Sequence, residues 1–282
     1  MSSSSRDSIM NSFSMNGGDG KNSYANNSSY QRDILSDTQL VVAENITAML
    51  GELGFPEYIK VADLGCSSGP NTYLAMSGIV NTIIDSYHQK GRTDSPEIDC
   101  FLNDLPENDF NTTFKLLPSF QEGLKTDLKE REALDPKYRD SFHMWSVLSD
   151  SLLDLVSEGL VKESQVDAFN MPFYDPNEVE MKEVLEREGS FEINKIETRE
   201  FAVHYASSSE DVVDESSDQF KKWQSIANII RCISESILVP HFGEAIMDRL
   251  FHRYAIHVAK HLTVSTRPTK STVNIIVSLT RK

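Results

Sequence analysis

Asp63, Gly65, Gly69 and Asp104 are the residues whose types and spacing could do chemistry. The first three fall in VADLGCSSGPNT (residues 61–72), an aliphatic run that bends through an acid and then loses its hydrophobicity. Gly65 and Gly69 permit a tight turn and a close backbone approach to a ligand. Pro70 and Asn71 then open a helix whose N-terminus aims backbone N–H groups at that ligand. Asp104 ends a second apolar run, EIDCFLNDLP (97–106). A carboxylate there can accept both hydroxyl protons of a ribose. Together these residues describe a cradle for a nucleotide-like cofactor. The glycines do not follow the G-x-G-x-x-G spacing of dinucleotide-binding turns, which argues against a nicotinamide module.

The elements that must position this cradle alternate. SDTQLVVAENITAMLGEL (36–53) has helical spacing, IKVADLG reads as a buried strand, YLAMSGIVNTIIDSYHQK as a helix and EIDCFLN as a second strand. That order predicts a parallel α/β sheet. From Leu105 to Ser190 no strand is evident. SFHMWSVLSDSLLDLVSEGLV (141–161) and NEVEMKEVLEREG (177–189) are amphipathic helices, the second stopping at Gly189. KTDLKEREALDPK between 125 and 137 is charged and featureless. Strand patterns return only at FEINKIETREFAVHYA (191–206) and TVNIIVSLTRK (272–282), with two helices, 220–238 and 240–262, between them and an acidic loop at 207–218. Four strands are fewer than the five or six that a doubly wound sheet of this size usually has. His252, His257 and His261 share one of these helices and read as a partly buried face, not a metal site. Trp145 and Trp223 read as packing residues.

The chain of 282 residues carries a formal net charge of −16. It has no basic patch to track phosphates, which argues against nucleic acid and against an anionic membrane surface. Three scattered cysteines, Cys66, Cys100 and Cys232, form no disulfide framework or zinc spacing. With no apolar run of membrane-spanning length, this predicts a reducing, cytoplasmic setting. Residues 1–30, rich in Ser, Asn and Gly, read on composition alone as a disordered tail.

The D-x-G-x-x-x-G spacing resembles the first motif of S-adenosylmethionine-dependent methyltransferases. The resemblance becomes specific over seven segments in one order: MNGGDGKNSYANNSSYQR, ADLGCSSGPN, FLNDLPENDFN, VSEGLVKESQVDAFNMPFY, EGSFEI, HFGEAIMDRLFHRY and NIIVSLTRK. Together they resemble the plant SABATH methyltransferases, which include salicylate, benzoate, jasmonate and indole-acetate carboxyl methyltransferases and caffeine-pathway N-methyltransferases. The resemblance implies a Rossmann-like class I methyltransferase sheet with a helical cap, mainly at 141–190 and 219–262, in one domain over 12–282 behind a disordered 1–11. It implies that the N-terminal segment folds over the active site. It assigns Tyr24, Asp63, Cys66, Asn71, Asp104 and Leu105 to S-adenosylmethionine, Cys66 acting through its backbone, and Gln31 to the substrate carboxylate. Asp167, Phe169 and Asn170 correspond to a magnesium site. One carboxylate, one backbone carbonyl and one amide are oxygen donors suited to a hard cation of structural role. The implied partners are a small carboxylic acid and, among proteins, a second copy or a full-length relative.

The sequence departs from the family after FKLLPSFQEGLK. A Ser-Phe-Tyr segment, a strand with its His-Trp pair, an asparagine of the magnesium site, a long helix and a strand ending in Gly-Arg are absent, and the junction lies near Thr126 to Glu132. An internal deletion explains both the missing motifs and the strand deficit. Each buried, unpaired backbone group costs about 1–3 kcal/mol, against a native stability of only about 5–15 kcal/mol. The expectation is a destabilised chain with weak or no turnover, and an alternative role as a non-catalytic partner of a full-length relative.

Overall fold

The computed structural model describes residues 13–126, 141–174, 176–204, 218–264 and 269–282. The segments 1–11, 127–140 and 207–217, which carry the expected tail, the deletion junction and the acidic loop, lie outside them. The chain divides into two units, residues 1–133 with 225–247, and residues 134–224 with 248–282.

In the first unit the N-terminal segment is folded, with a short helix α1 (Tyr24–Asn27) followed by α2 (Ser29–Glu52). β1 (Tyr58–Leu64), α3 (Asn71–Gln89) and β2 (Glu97–Asn103) form the expected strand–helix–strand unit. The two strands pair in parallel, Tyr58 opposite Glu97 through Leu64 opposite Asn103. Strand alternation sends Ile59, Val61 and Ile98 to one face. There they meet Ile46 and Leu50 of α2 and Ile79, Ile83 and Tyr87 of α3 in one apolar cluster. The other face is open: Leu64 is 78% exposed and Phe101 48%. A parallel sheet is ordinarily covered on both sides, so this bare face is the counterpart of the strand deficit.

α4 (Phe110–Thr126) was not foreseen, because Pro118 lies inside it. An interior proline removes one helical hydrogen bond and usually marks a boundary. From Ser225 onward, α8 (Asp218–Phe242) completes this unit.

The second unit contains α5 (Ser141–Ser157), α6 (Glu163–Ala168), α7 (Glu178–Glu188), β3 (Phe191–His204), α9 (Met247–Val264, from Asp248 onward) and β4 (Thr269–Arg281). α7 opens with a reciprocal cap: Asn177 Oδ1 accepts the Glu180 N–H at 3.0 Å, and Glu180 Oε2 accepts the Asn177 N–H at 2.9 Å. It ends, as expected, at a left-handed Gly189. β3 and β4 pair antiparallel from Phe191–Arg281 to His204–Thr269, with one irregularity between Ile193 and Lys195. α5 and α9 are tied by Tyr254 O–H donating to the Met144 carbonyl at 3.0 Å and by Arg249 and Arg253 on Glu158. His257 lies 2.9 Å from Asp154 and His252 packs edge-on against Phe220, so these two histidines serve the helix face. Trp223 is buried beside Phe220, and Trp145 packs on Phe173.

Candidate cofactor site

The site is built where β1 and β2 end. Gly65 and Cys66 donate their N–H groups to the Asn103 carbonyl at 2.8 and 3.1 Å, extending the ladder one step into the turn. The chain then lifts through Ser67, at φ +52°, and Gly69, at φ +120°. Ser67 is held by its N–H to Asp104 Oδ2 at 2.6 Å. Its carbonyl accepts Asn108 Nδ2 at 3.0 Å and the Thr113 hydroxyl at 3.4 Å. Thr113 Oγ1 also accepts the Gly69 N–H at 3.3 Å. Two carboxylates flank the turn. Asp63 accepts the Thr72 hydroxyl at 2.7 Å. Asp104 Oδ1 accepts the Leu105 N–H at 2.7 Å, and each Asp104 oxygen keeps a further lone pair for a ribose hydroxyl.

The N-terminal segment covers this turn. A Cβ on Gly69 would stand 2.8 Å from the Cα of Ala25, so α1 rests directly on the glycine. Asn71 Nδ2 donates to the Ser28 carbonyl at 2.9 Å, and Asn71 Oδ1 accepts Arg32 Nε at 3.4 Å. Tyr24 is buried. Burial first, then the negative groups Cys232, Asp104 and Asp63, push its hydroxyl up to about 12, against a lowering hydrogen bond with Asn71. Tyr24 therefore stays a neutral donor at physiological pH. Burial, with Asp104 and Asp63, raises the Cys66 thiol to about 11, so Cys66 is no nucleophile here.

Of the residues expected to meet the cofactor, Tyr24, Asp63, Cys66, Asn71, Asp104 and Leu105 all lie at this turn. Gln31 lies one helical turn beyond Ser28 on α2, its Oε1 buried without a partner. Ser28, Ser67 and Ser68 hydroxyls are also buried and unpartnered. Three such hydroxyls at one turn are costly in a closed core, at about 1–3 kcal/mol each, and suit a polar ligand. The residues present therefore fit a nucleoside-bearing cofactor. Sequence reasoning missed these serines and Thr113, because small hydroxyl residues carry no periodicity. Their clustering in SSGPNT and DFNTT is the one available signal.

Asp167, Phe169 and Asn170 belong to the second unit, at the C-terminal end of α6. Asp167 and Asn170 are exposed and Phe169 half-buried. Among the described residues no three His, Cys, Asp or Glu side chains gather to hold a metal.

A parallel strand–turn–helix with an acid at the C-terminal end of each strand defines a nucleotide-cradling α/β fold of the methyltransferase kind. The family profile described as SAM dependent carboxyl methyltransferase matches residues 10–130 and 126–282, and the chain belongs to that family. It is 39% identical to a salicylate/benzoate carboxyl methyltransferase of Arabidopsis thaliana, over 95% of this chain and 92% of that protein. It is 30% identical to a salicylate carboxymethyltransferase of Clarkia breweri, over 95% and 97%. The solved structure of a loganic acid methyltransferase with SAH shares the fold at a TM-score of 0.69 and 23% identity, covering 95% of this chain and 98% of that one.

The Arabidopsis comparison runs over 362 positions although the chain has 282 residues. At least 80 positions, the difference between the two, are therefore gaps within this chain. The family match itself breaks at 126–130, where the junction was expected.

No helix of the described residues is long and apolar enough to cross a membrane.

Proposed function

We propose that this chain binds S-adenosylmethionine at the β1–α3 turn and directs its methyl group to the carboxylate of a small acid of the salicylate or benzoate kind, with both units parts of one methyltransferase domain. The observation that carries the reading is the set of buried, unpartnered hydroxyls of Ser28, Ser67 and Ser68 at the turn, flanked by Asp63 and Asp104 and covered by the segment that carries Tyr24 and Ala25. When bound, the cofactor supplies a sulfonium-activated methyl group for direct displacement. Asp104 would receive the ribose hydroxyls, and Asn71 and Tyr24 would close the nook above them. A carboxylate acceptor is ionised at neutral pH, so the chain need supply no general base. Its own work is orientation and water exclusion. Gln31, rotated about its last bond, presents N–H donors to the acceptor carboxylate. The stretch around Asp167, Phe169 and Asn170 supplies one side-chain carboxylate, too little for a hard cation alone, and no step is assigned to magnesium.

A second reading is favoured by the missing stretch of at least 80 positions and the bare face of β1–β2. The chain then keeps the cofactor but turns over weakly, and acts beside a full-length relative. Calorimetric titration with S-adenosylhomocysteine tests the cradle: micromolar binding supports it, and no binding at millimolar concentration overturns it. Label transfer from methyl-labelled cofactor to salicylate, benzoate and jasmonate separates the readings, since ordinary turnover removes the second.

A further inference from the structure

Asp109 stands one residue before α4 and joins three parts of the first unit. Its Oδ1 accepts the Thr112 N–H at 3.0 Å, the helix-capping bond. Its Oδ2 accepts the Thr112 hydroxyl at 2.6 Å and the Gly18 N–H at 2.7 Å. The approach is close, because a Cβ on Gly17 would stand 3.0 Å from the Cβ of Asp109. Those three donors hold the carboxyl below its usual range. The residue after Thr112 is Thr113, whose hydroxyl grips both Ser67 and Gly69 of the cofactor turn.

The same N-terminal segment has other long-range anchors, among them the Ser28 carbonyl, which accepts Asn71 Nδ2 at 2.9 Å. Asn16 donates its side-chain N–H to Glu235 Oε2 at 2.5 Å and its backbone N–H to the Cys232 carbonyl at 3.1 Å. Glu235 is itself paired with Arg231 at 2.6 Å. Between the anchors, the Tyr24 N–H returns to the Asn16 carbonyl at 2.8 Å. A fold that needed only a capped α4 would require Oδ1 alone. The second oxygen is shared between the Thr112 hydroxyl and a segment 91 residues away.

We infer that Asp109 is a positioning residue, whose bond to Gly18 holds Tyr24 and Ala25 over the cofactor turn, in addition to capping α4. The inference rests on the cofactor reading above for its effect on binding, but not for its effect on the segment itself. Serine is as good a helix cap as aspartate but too short to reach Gly18. Asp109→Ser therefore severs the latch and keeps the cap, whereas Asp109→Ala loses both.

The experiment compares native chain, Asp109→Ser and Asp109→Ala by melting curve, by amide hydrogen exchange of residues 16–31, and by S-adenosylhomocysteine titration. In Asp109→Ser the melting point stays near native, the Gly18 and Tyr24 amides exchange faster, and S-adenosylhomocysteine binds about tenfold more weakly, as loss of a charge-assisted hydrogen bond implies. Asp109→Ala adds a drop in melting point. Native exchange rates at Gly18 and Tyr24 in Asp109→Ser overturn the inference, whatever the native chain's affinity. Faster exchange with unchanged affinity overturns its link to the cofactor. Native chain that does not bind the ligand removes the cofactor reading, while the exchange comparison still decides the latch.

Discussion

Ala25 lies across Gly69 so closely that a Cβ on the glycine would meet the Ala25 Cα at 2.8 Å. Gly69 sits at φ +120°, a conformation that L side chains rarely adopt. Gly69→Ala therefore adds backbone strain to a collision with a main chain that cannot rotate away. The expected loss of stability is about 2 kcal/mol or more. Urea denaturation checks it, and a native midpoint would mean that α1 does not rest on the turn.

Asp104 is the acceptor that fixes Ser67 in its left-handed conformation, at 2.6 Å. Asp104→Asn removes the charge and makes one of the two oxygens a donor. Hydrogen bonds to charged groups contribute about 1.5–3 kcal/mol, so S-adenosylhomocysteine affinity should fall about tenfold to a hundredfold. Calorimetry on the variant reads this directly; an unchanged constant would place the ribose elsewhere.

Three buried acids set the alkaline limit of the fold. Tyr24 rises from 10.0 to about 12, Cys66 from 9.0 to about 11 and Cys232 from 9.0 to about 12, burial being the first cause of each. A folded-state value above the unfolded one means that the unfolded chain loses its protons first. The stabilisation is whole below about pH 9 and is lost as pH climbs towards 12. Melting points should fall steadily across that window. At pH 8, iodoacetamide should label the exposed Cys100 well ahead of Cys66 and Cys232, with peptide mass spectrometry as the readout.

Leu64 and Phe101 project from the bare face of the β1–β2 pair. Leu64→Ser with Phe101→Ser should lower binding of a hydrophobic dye and reduce light scattering, while leaving the melting point within about 2 °C of native. A large drop in melting point would show that this face is covered.

The strand–turn–helix was legible because its signals are local. Apolar runs ending in Asp63 and Asn103–Asp104, two glycines and a proline at the helix start leave few alternatives, and α3 begins at Asn71 as read. The four strands were legible for the same reason, and their shortage pointed to the missing stretch that the family match then located. α4 was not, because Pro118 contradicts a helix locally while Asp109 caps it. Nor was the folding of residues 13–31. Their composition is that of a tail, and what orders them is distant: Glu235, Asp109 and the Asn71 amide. Only likeness to known enzymes could supply that part of the reading.

The bond between Asn16 and Glu235 spans 219 residues of chain. A ribosome adding about 5–20 residues per second leaves the first partner waiting on the order of ten to forty seconds for the second to emerge. The cover over the glycine turn is thus complete only after Glu235 has been made, and until then the half-made chain offers that turn unguarded to chaperones and proteases.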